Sequence, residues 1–294
     1  MTREKEKRNV RDSVFVDLFY SDITAKENIL SLYNALHDEP LPPDVAIEKI
    51  KIDDVLYTNF KNDVSFEIGD KIFVFGEHQS TVNENMPLRC LLYAGRAYEQ
   101  ILDDDNRYKR SRIPIPKPEF YTFYNGSEER PGEETMKLSD AFIVSDEAPA
   151  LELIVKVINI NSRAGHQILE RCEVLREYTI FMEKIKRYRD ADDPDAIKRA
   201  IYECEAEGIL TEYLKRRGSE VMNMLTAEYN YEKDMAVQRQ EAIQQGVQHG
   251  VQQGATQKEM EIAQKMVDRG YTVAEIARLT DLTAKEIASL HHTL

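Results

Sequence analysis

The chain has 294 residues, a net charge of −14, 42% hydrophobic residues and 31% charged residues. That length suffices for about two domains of ordinary size. The acidity argues against a protein that coats nucleic acid nonspecifically, because neutralising phosphates requires clustered Lys and Arg. It does not exclude a nuclease, since metal ions can supply the positive charge that faces a phosphate.

No run of about 18 apolar residues is present, so the sequence predicts no transmembrane helix and no membrane partner. The first residues, MTREKEKRNVRDS, carry charge without a following apolar stretch, which is not the pattern of a secretory signal. The three cysteines have no paired spacing, as expected for free thiols in a reducing compartment. We therefore expect a cytoplasmic protein.

Apolar residues recur at three- and four-residue steps over 12–36, which predicts a helix that Asp22 or Thr24 could break or restart. The proline-rich segment DEPLPPD ends this helix. Residues 45–58 mix alternation with polar breaks, and their pattern predicts no single element.

Two strands are predicted at 63–68 and 71–76, separated by a Gly-Asp turn signal. A helix follows, with Asn85 as its N-cap and Pro87 in its first turn. The aromatic run EFYTFYNGS and the apolar run LELIVKVINI predict two further strands. This order of elements indicates a mixed α/β domain over residues 1–162.

From about residue 165 the periodicity is helical, which defines a helical region at 163–235. The next segment, 236–257, contains Gly246, Gly250 and Gly254 at four-residue steps. Such glycines lie on one face of a helix, where close approach by a partner helix would offset about 1 kcal/mol lost at each. The alternative is a flexible Gly/Gln linker.

The tail, 258–294, contains two capping boxes, in which Thr272 precedes Glu275 and Thr283 precedes Glu286. The pattern predicts a helix-turn-helix. Its second helix has few side chains suited to reading bases, so DNA recognition and a packing or oligomerisation module both stay open. We expect a homo-oligomer formed through the C-terminal helices.

Carboxylates occur in the predicted hairpin, where a purely structural hairpin does not need them. Glu77 and Gln79 lie two residues apart after a run that is apolar on both faces, which indicates a central strand. Asp63 begins the neighbouring strand, so it converges with Glu77 if the strands pair. Two carboxylates with water can hold Mg²⁺. Alternatively, Asp63 belongs to a turn and Glu77 pairs with Arg89.

The block NFKNDVSFEIGDKIFVFGEHQSTVNENMPLRCLLY resembles the recombination-promoting nuclease (Rpn) family of PD-(D/E)XK nucleases, which is also described as transposase-like. FYNG, ININ, EYTIFMEKIKRY and the glycine-repeat tail resemble the same family. The resemblance implies a restriction-endonuclease-like mixed sheet flanked by helices, followed by an all-helical C-terminal region. It also implies DNA as the partner and DNA cleavage that depends on Mg²⁺ or Mn²⁺.

Within this resemblance, Asp63 is the motif aspartate and Glu77 the second metal ligand. Gln79 stands where many members of the superfamily have Lys. It can orient a water molecule but brings no charge, and Lys61 is an alternative source of that charge. Asp12 resembles the acidic residue of the first helix, which assists the metal, although a helix cap is the simpler interpretation.

Arg89 and Tyr93 lie four residues apart after the Glu-bearing strand, so they share a helix face. That face contacts the substrate phosphate, or Arg89 pairs with Glu77 and Tyr93 lies in the core. His78 alternates away from Glu77 and is expected to be a packed or rim histidine and not a metal ligand. The leading prediction is a metal-dependent DNA endonuclease. The alternative is a weak or inactive member of the fold that acts as an oligomeric interaction module.

Overall fold

The computed structural model describes residues 13–50, 64–69, 71–79, 82–102, 109–280 and 282–290, with no account of the side chains of 64, 72–79, 231, 232 and 234–236. The chain divides into two compact units, residues 1–228 and 229–294. The first unit is mixed α/β and the C-terminal region is helical, which confirms the predicted class.

One six-stranded sheet forms the centre of the first unit, with strand order β1-β2-β3-β4-β6-β5. The strands are β1 (Ile47–Ile50), β2 (Val64–Ile68), β3 (Lys71–Gln79), β4 (Lys117–Tyr124), β5 (Glu133–Lys137) and β6 (Ile154–Asn159). β1, β2 and β3 are antiparallel neighbours, β3, β4 and β6 are parallel, and β5 is antiparallel to β6. β3 is therefore an internal strand, as its apolar run predicted. The sequence pattern did not predict β1 or β5.

The first helical segment is broken where the sequence allowed it. Helix α1 (Val14–Val16) continues as a π-helical turn over Asp17–Ser21, and α2 (Ala25–Leu36) follows. The Asp22 carboxylate accepts hydrogen bonds from the Thr24 backbone N–H at 3.0 Å and from its hydroxyl at 2.7 Å. This local turn competes with the helix and restarts it at Thr24, which is the N-cap residue of α2.

Helix α3 (Met86–Ile101) covers one face of the sheet. Asn85 is its N-cap residue and Pro87 lies in its first turn, as predicted, although the Asn85 side chain makes no capping hydrogen bond. Buried Cys90 and Tyr93 pack with Phe120 and Val155 of the sheet. This packing fixes α3 against β4 and β6.

The helices after the sheet complete the first unit: α4 (Ile168–Arg171), α5 (Glu173–Asp190), α6 (Ala196–Glu207) and the start of α7 (Thr211–Asp268). The helical periodicity that starts near residue 165 is interrupted between α6 and α7. Gly208 adopts φ +82° and its N–H donates to the Cys204 and Glu205 carbonyls, which ends α6. Phe15, Phe123, Phe181 and Leu214 belong to one buried cluster, so sheet and helices share a core.

The second unit contains the rest of α7, α8 (Val273–Leu279) and α9 (Ala284–Leu290). The glycine repeat lies within α7 and is helical, while its packing against a partner helix stays a prediction. Both predicted capping boxes form, since the Glu275 carboxylate accepts from the Thr272 N–H at 2.8 Å and the Glu286 carboxylate accepts from the Thr283 N–H at 2.7 Å. A small core joins the three helices: Ala263, Ile276, Leu282 and Ile287.

Candidate functional site

The candidate site lies at the carboxyl ends of the three parallel strands β3, β4 and β6. Gln79 pairs in register with Tyr124 on β4, and Tyr124 pairs with Asn159 on β6. The carboxyl ends of parallel strands are a common place for ligand sites in α/β sheets. We call this region, which contains Glu77, Gln79, Tyr124 and Asn159, the carboxyl edge.

The hairpin brings β2 back towards the same edge. Val64, the residue that follows Asp63 in the sequence, pairs with Phe75 of β3, two residues before Glu77. The pairing between β3 and β4 is irregular between Gly76 and Gln79. Bulges of this kind re-aim side chains and are frequent next to active sites. Asp63 and Asp12 lie outside the described residues.

Carboxamides tie the carboxyl edge together. The Asn159 side chain donates from Nδ2 to the Arg130 carbonyl at 3.0 Å, and its Oδ1 accepts from the Asn161 Nδ2 at 2.9 Å. The Asn161 Nδ2 also donates to the Gly126 carbonyl at 3.2 Å. The loop between β4 and β5 is therefore fastened to the end of β6, one strand away from Gln79. Buried amides satisfied in this way rigidify their surroundings.

An arginine lies over the aromatic ring at this edge. The Arg130 guanidinium is 5.5 Å from the ring centroid of the fully buried Tyr124, whose hydroxyl donates to the Glu128 carbonyl at 3.1 Å. Arg130 donates from Nη1 to the Glu134 carboxylate at 2.7 Å, and this contact raises the pKa of Arg130. Because its charge is already paired with Glu134, Arg130 is a structural part of the edge.

Arg89 and Tyr93 share one face of α3, as their spacing predicted. The Arg89 Nη2 donates to the Tyr93 hydroxyl at 3.2 Å, and its Nη1 lies 3.3 Å from the Met86 sulfur. Arg89 is 8% exposed and Tyr93 4% exposed. Tyr93 is a core residue, and Arg89 is buried as well. A contact between this pair and a substrate stays a prediction.

The donor chemistry of the predicted ligands suits a hard divalent ion. The carboxylate oxygens that Asp63 and Glu77 carry are the ligand type that Mg²⁺ and Mn²⁺ prefer. Among the residues that the structure describes, no group of three or more His, Cys, Asp and Glu side chains is arranged to hold a metal. The metal assignment therefore rests on the hairpin residues.

Sequence reasoning assigned no role to Asn159 or Asn161, although FYNG and ININ carried part of the family resemblance. The two motifs meet where Tyr124 of β4 pairs with Asn159 of β6. This pairing depends on the order of strands in the sheet, which periodicity does not give. No protein family model, curated protein or solved structure matches this chain. None of the described helices has the length and apolarity needed to cross a bilayer.

Proposed function

We propose that the protein is a cytoplasmic, metal-dependent DNA endonuclease of the recombination-promoting type, with a restriction-endonuclease-like core. The observation that carries the proposal is the pairing of β2 with β3. It sets Val64 opposite Phe75, so the chain next to Asp63 runs close to the segment of β3 that leads to Glu77. Gln79 lies in register with Tyr124 at the carboxyl edge, where Asn159 and Asn161 are joined by a hydrogen bond.

Asp63 and Glu77 would hold a Mg²⁺ or Mn²⁺ ion through carboxylate oxygens. When bound, such an ion supplies positive charge to a phosphate and lowers the pKa of a water molecule. Gln79 has an amide that can both donate and accept, so it orients that water by hydrogen bonds. Arg89 and Tyr93, joined by a hydrogen bond on α3, are the substrate-binding candidates nearest to Gln79 along the chain.

A plasmid-nicking assay with Mg²⁺ or Mn²⁺ tests the proposal. We expect Asp63→Ala and Glu77→Ala each to reduce nicking by at least about 100-fold, which is 2.7 kcal/mol of barrier, while the Tm stays within a few degrees. Gln79→Lys should retain or raise activity, because it adds charge beside the scissile phosphate. Glu84→Ala, an exposed carboxylate outside β3, is the matched control.

Nicking by purified Asp63→Ala at the wild-type rate would contradict the assignment, because a metal ligand cannot be dispensable. Loss of cleavage in Gln79→Lys with unchanged fold and metal affinity would count against the position given to Gln79.

A second candidate function is an oligomeric interaction module without efficient catalysis. It is favoured by the exposed apolar side chains of α7 beside the glycine repeat, where Val247 is 62% exposed and Val251 67% exposed. A second copy of the same helix would bury them. Light scattering should then show an oligomer for the full chain and a smaller assembly for the chain truncated after residue 234, while the first unit stays folded. Monomeric masses for both chains would exclude this candidate.

A further inference from the structure

A basic segment of nine residues precedes β4 in this strongly acidic chain. Residues 109–117, KRSRIPIPK, contain four cations and no carboxylate. Lys109, Arg110, Arg112 and Lys117 are all exposed. We call these four side chains the basic strip. Three aspartates at 103–105 precede it in the sequence and lie outside the described residues.

The strip is held in a restricted conformation although 109–116 lies outside helix and sheet. Pro114, Pro116 and Pro118 fix their own backbone φ and restrict the residue before each of them to extended conformations. The hydroxyl of Tyr98 on α3 donates to the Pro116 carbonyl at 2.8 Å, which ties the segment to the core. A ligand that binds here orders little additional chain, which lowers the entropic cost of binding.

The two arginines of the strip are not committed to partners within the protein. Arg110 and Arg112 make no ion pair or side-chain hydrogen bond with any residue that the structure describes. Two guanidinium groups close together repel each other, and this repulsion is not offset by an ion pair with a described residue. Their spacing of two residues in an exposed segment provides two donors for neighbouring acceptor groups.

Lys117 extends the positive surface onto the sheet. It pairs in register with Lys71 of β3, and both ammonium groups face the Glu119 carboxylate, at 3.3 Å and 3.5 Å. Glu119 is 10% exposed in its side chain and also contacts the His37 ring at 2.6 Å. Burial raises the pKa of Glu119, but His37, Lys117 and Lys71 together hold it below its usual value. One carboxylate thus faces three basic groups, and Lys117 stays 72% exposed.

We propose that the basic strip binds the phosphate backbone of DNA, as an anchoring surface separate from the carboxyl edge. This inference rests on the proposed DNA substrate and adds the surface that holds it. Arginine is suited to phosphate because its planar fork donates two parallel hydrogen bonds. Lys71 and Gln79 are eight residues apart on β3, so the strip and the candidate site lie about 26 Å apart along the strand. At 3.4 Å per base pair this corresponds to about eight base pairs of duplex.

The test measures DNA binding rather than cleavage. Full-length protein carrying Asp63→Ala binds a fluorescein-labelled 30-base-pair duplex in EDTA, and fluorescence anisotropy gives Kd from 50 to 250 mM salt. Each lost phosphate contact reduces the slope of log K against log salt by about 0.9. The triple variant R110Q/R112Q/K117Q should therefore lose about 2–3 units of slope and bind at least tenfold more weakly at 100 mM salt.

The control K26Q/K186Q/K198Q removes the same charge from exposed positions outside the strip and should keep the slope of the parent. Equal slopes for the two triple variants, or no DNA binding by the parent, would overturn the proposal. The same variants are also measured with labelled poly-glutamate. If the triple variant of the strip binds poly-glutamate more weakly than the parent but binds DNA equally well, the proposal is overturned in favour of an acidic protein partner. Since no arm measures nicking, a reduced slope stands even if the protein cuts no DNA.

Discussion

The two units use their polar side chains in opposite ways. In the first unit, hydrogen bonds join residues far apart in the chain: Tyr213 and Arg217 donate to Asp17, and Arg216 donates to Asp22 at 2.7 and 2.9 Å. In the second unit, the side-chain hydrogen bonds that join described residues to one another, such as Gln264 to Asp268, span at most four positions. The first unit is therefore closed by tertiary contacts, whereas the second is built from locally stabilised helices.

Removing the hydrogen bonds between Arg216 and Asp22 should have the largest effect on stability among the changes that test this difference. Burial would raise the pKa of Asp22, but the hydrogen bonds from Arg216 and Thr24 lower it below its usual value, so the carboxylate stays charged. Arg216→Ala leaves that charge buried, because the Asp22 side chain is 1% exposed. We expect a fall in Tm of roughly 5–10 °C for the transition of the first unit.

Lys215→Ala is the matched control, since Lys215 is exposed and only 3.7 Å from the exposed Glu212 carboxylate. Surface pairs of that kind contribute little to stability. If both variants unfold at the wild-type temperature, the long-range hydrogen bonds do not close the first unit, and the contrast between the units fails.

The glycine repeat of α7 tests whether the second unit also depends on contacts beyond its own helices. A Cβ added at Gly246, Gly250 or Gly254 would meet no atom of the described chain within 4 Å. In an isolated helix the triple Ala variant would gain about 3 kcal/mol of helix stability. If a second copy packs on this face, the added methyl groups separate the helices.

We expect the triple Ala variant to keep or raise the helical circular-dichroism signal while light scattering shows a smaller mass than for the wild type. An unchanged mass would show that the glycine face makes no subunit contact. Gln245→Ala, on a different face of the same exposed helix, serves as the control for general effects of Ala.

The pairing of α5 with α6 gives a pH-dependent prediction for the first unit. Hydrogen bonds from Lys184, and then from Tyr188 and Arg187, lower the pKa of Glu203 to about 2. Because this pKa is depressed, the stabilisation is complete above the unfolded value of about 4.3 and disappears as the pH falls through about 2. Glu203→Gln should lower the Tm by a few degrees at pH 7 and by progressively less below pH 4.

Glu205→Gln, two residues along the same helix and without an ion pair among the described residues, should show no such pH dependence. A Tm difference between wild type and Glu203→Gln that stays constant from pH 7 to pH 2.5 would mean that the Glu203 charge does not join the two helices.

This comparison explains how far sequence alone can predict the molecule. Capping boxes, the broken first helix and the β2–β3 hairpin depend on residues within a few positions of each other, and their patterns predicted them. β5, with the sequence EETMK, has no strand periodicity of its own and forms because β6 pairs with it. Likewise, the hydrogen bond from Asn161 to the Gly126 carbonyl requires β4 and β6 to be neighbours, which no local pattern contains.

The smallest effect is expected at the Thr272 cap of the second unit. Its hydroxyl oxygen accepts from the Glu275 N–H at 3.4 Å, and the Glu275 carboxylate accepts from the Thr272 N–H at 2.8 Å. The Thr272 hydroxyl, which donates to the Glu275 carboxylate at 2.7 Å, and the Thr272 N–H lower the pKa of Glu275. Thr272→Ala removes one side of the box and should cost about 1 kcal/mol. Thr272→Ser keeps the hydroxyl and should cost less.

Because the second unit has only a small core, the loss should appear there and not in the first unit. Amide hydrogen exchange should become faster in residues 273–279 of Thr272→Ala, with no change in the protection of β3 and β4. Faster exchange in those central strands as well would show that the two units unfold together. The second unit would then have short-range hydrogen bonds but would not unfold independently of the first unit.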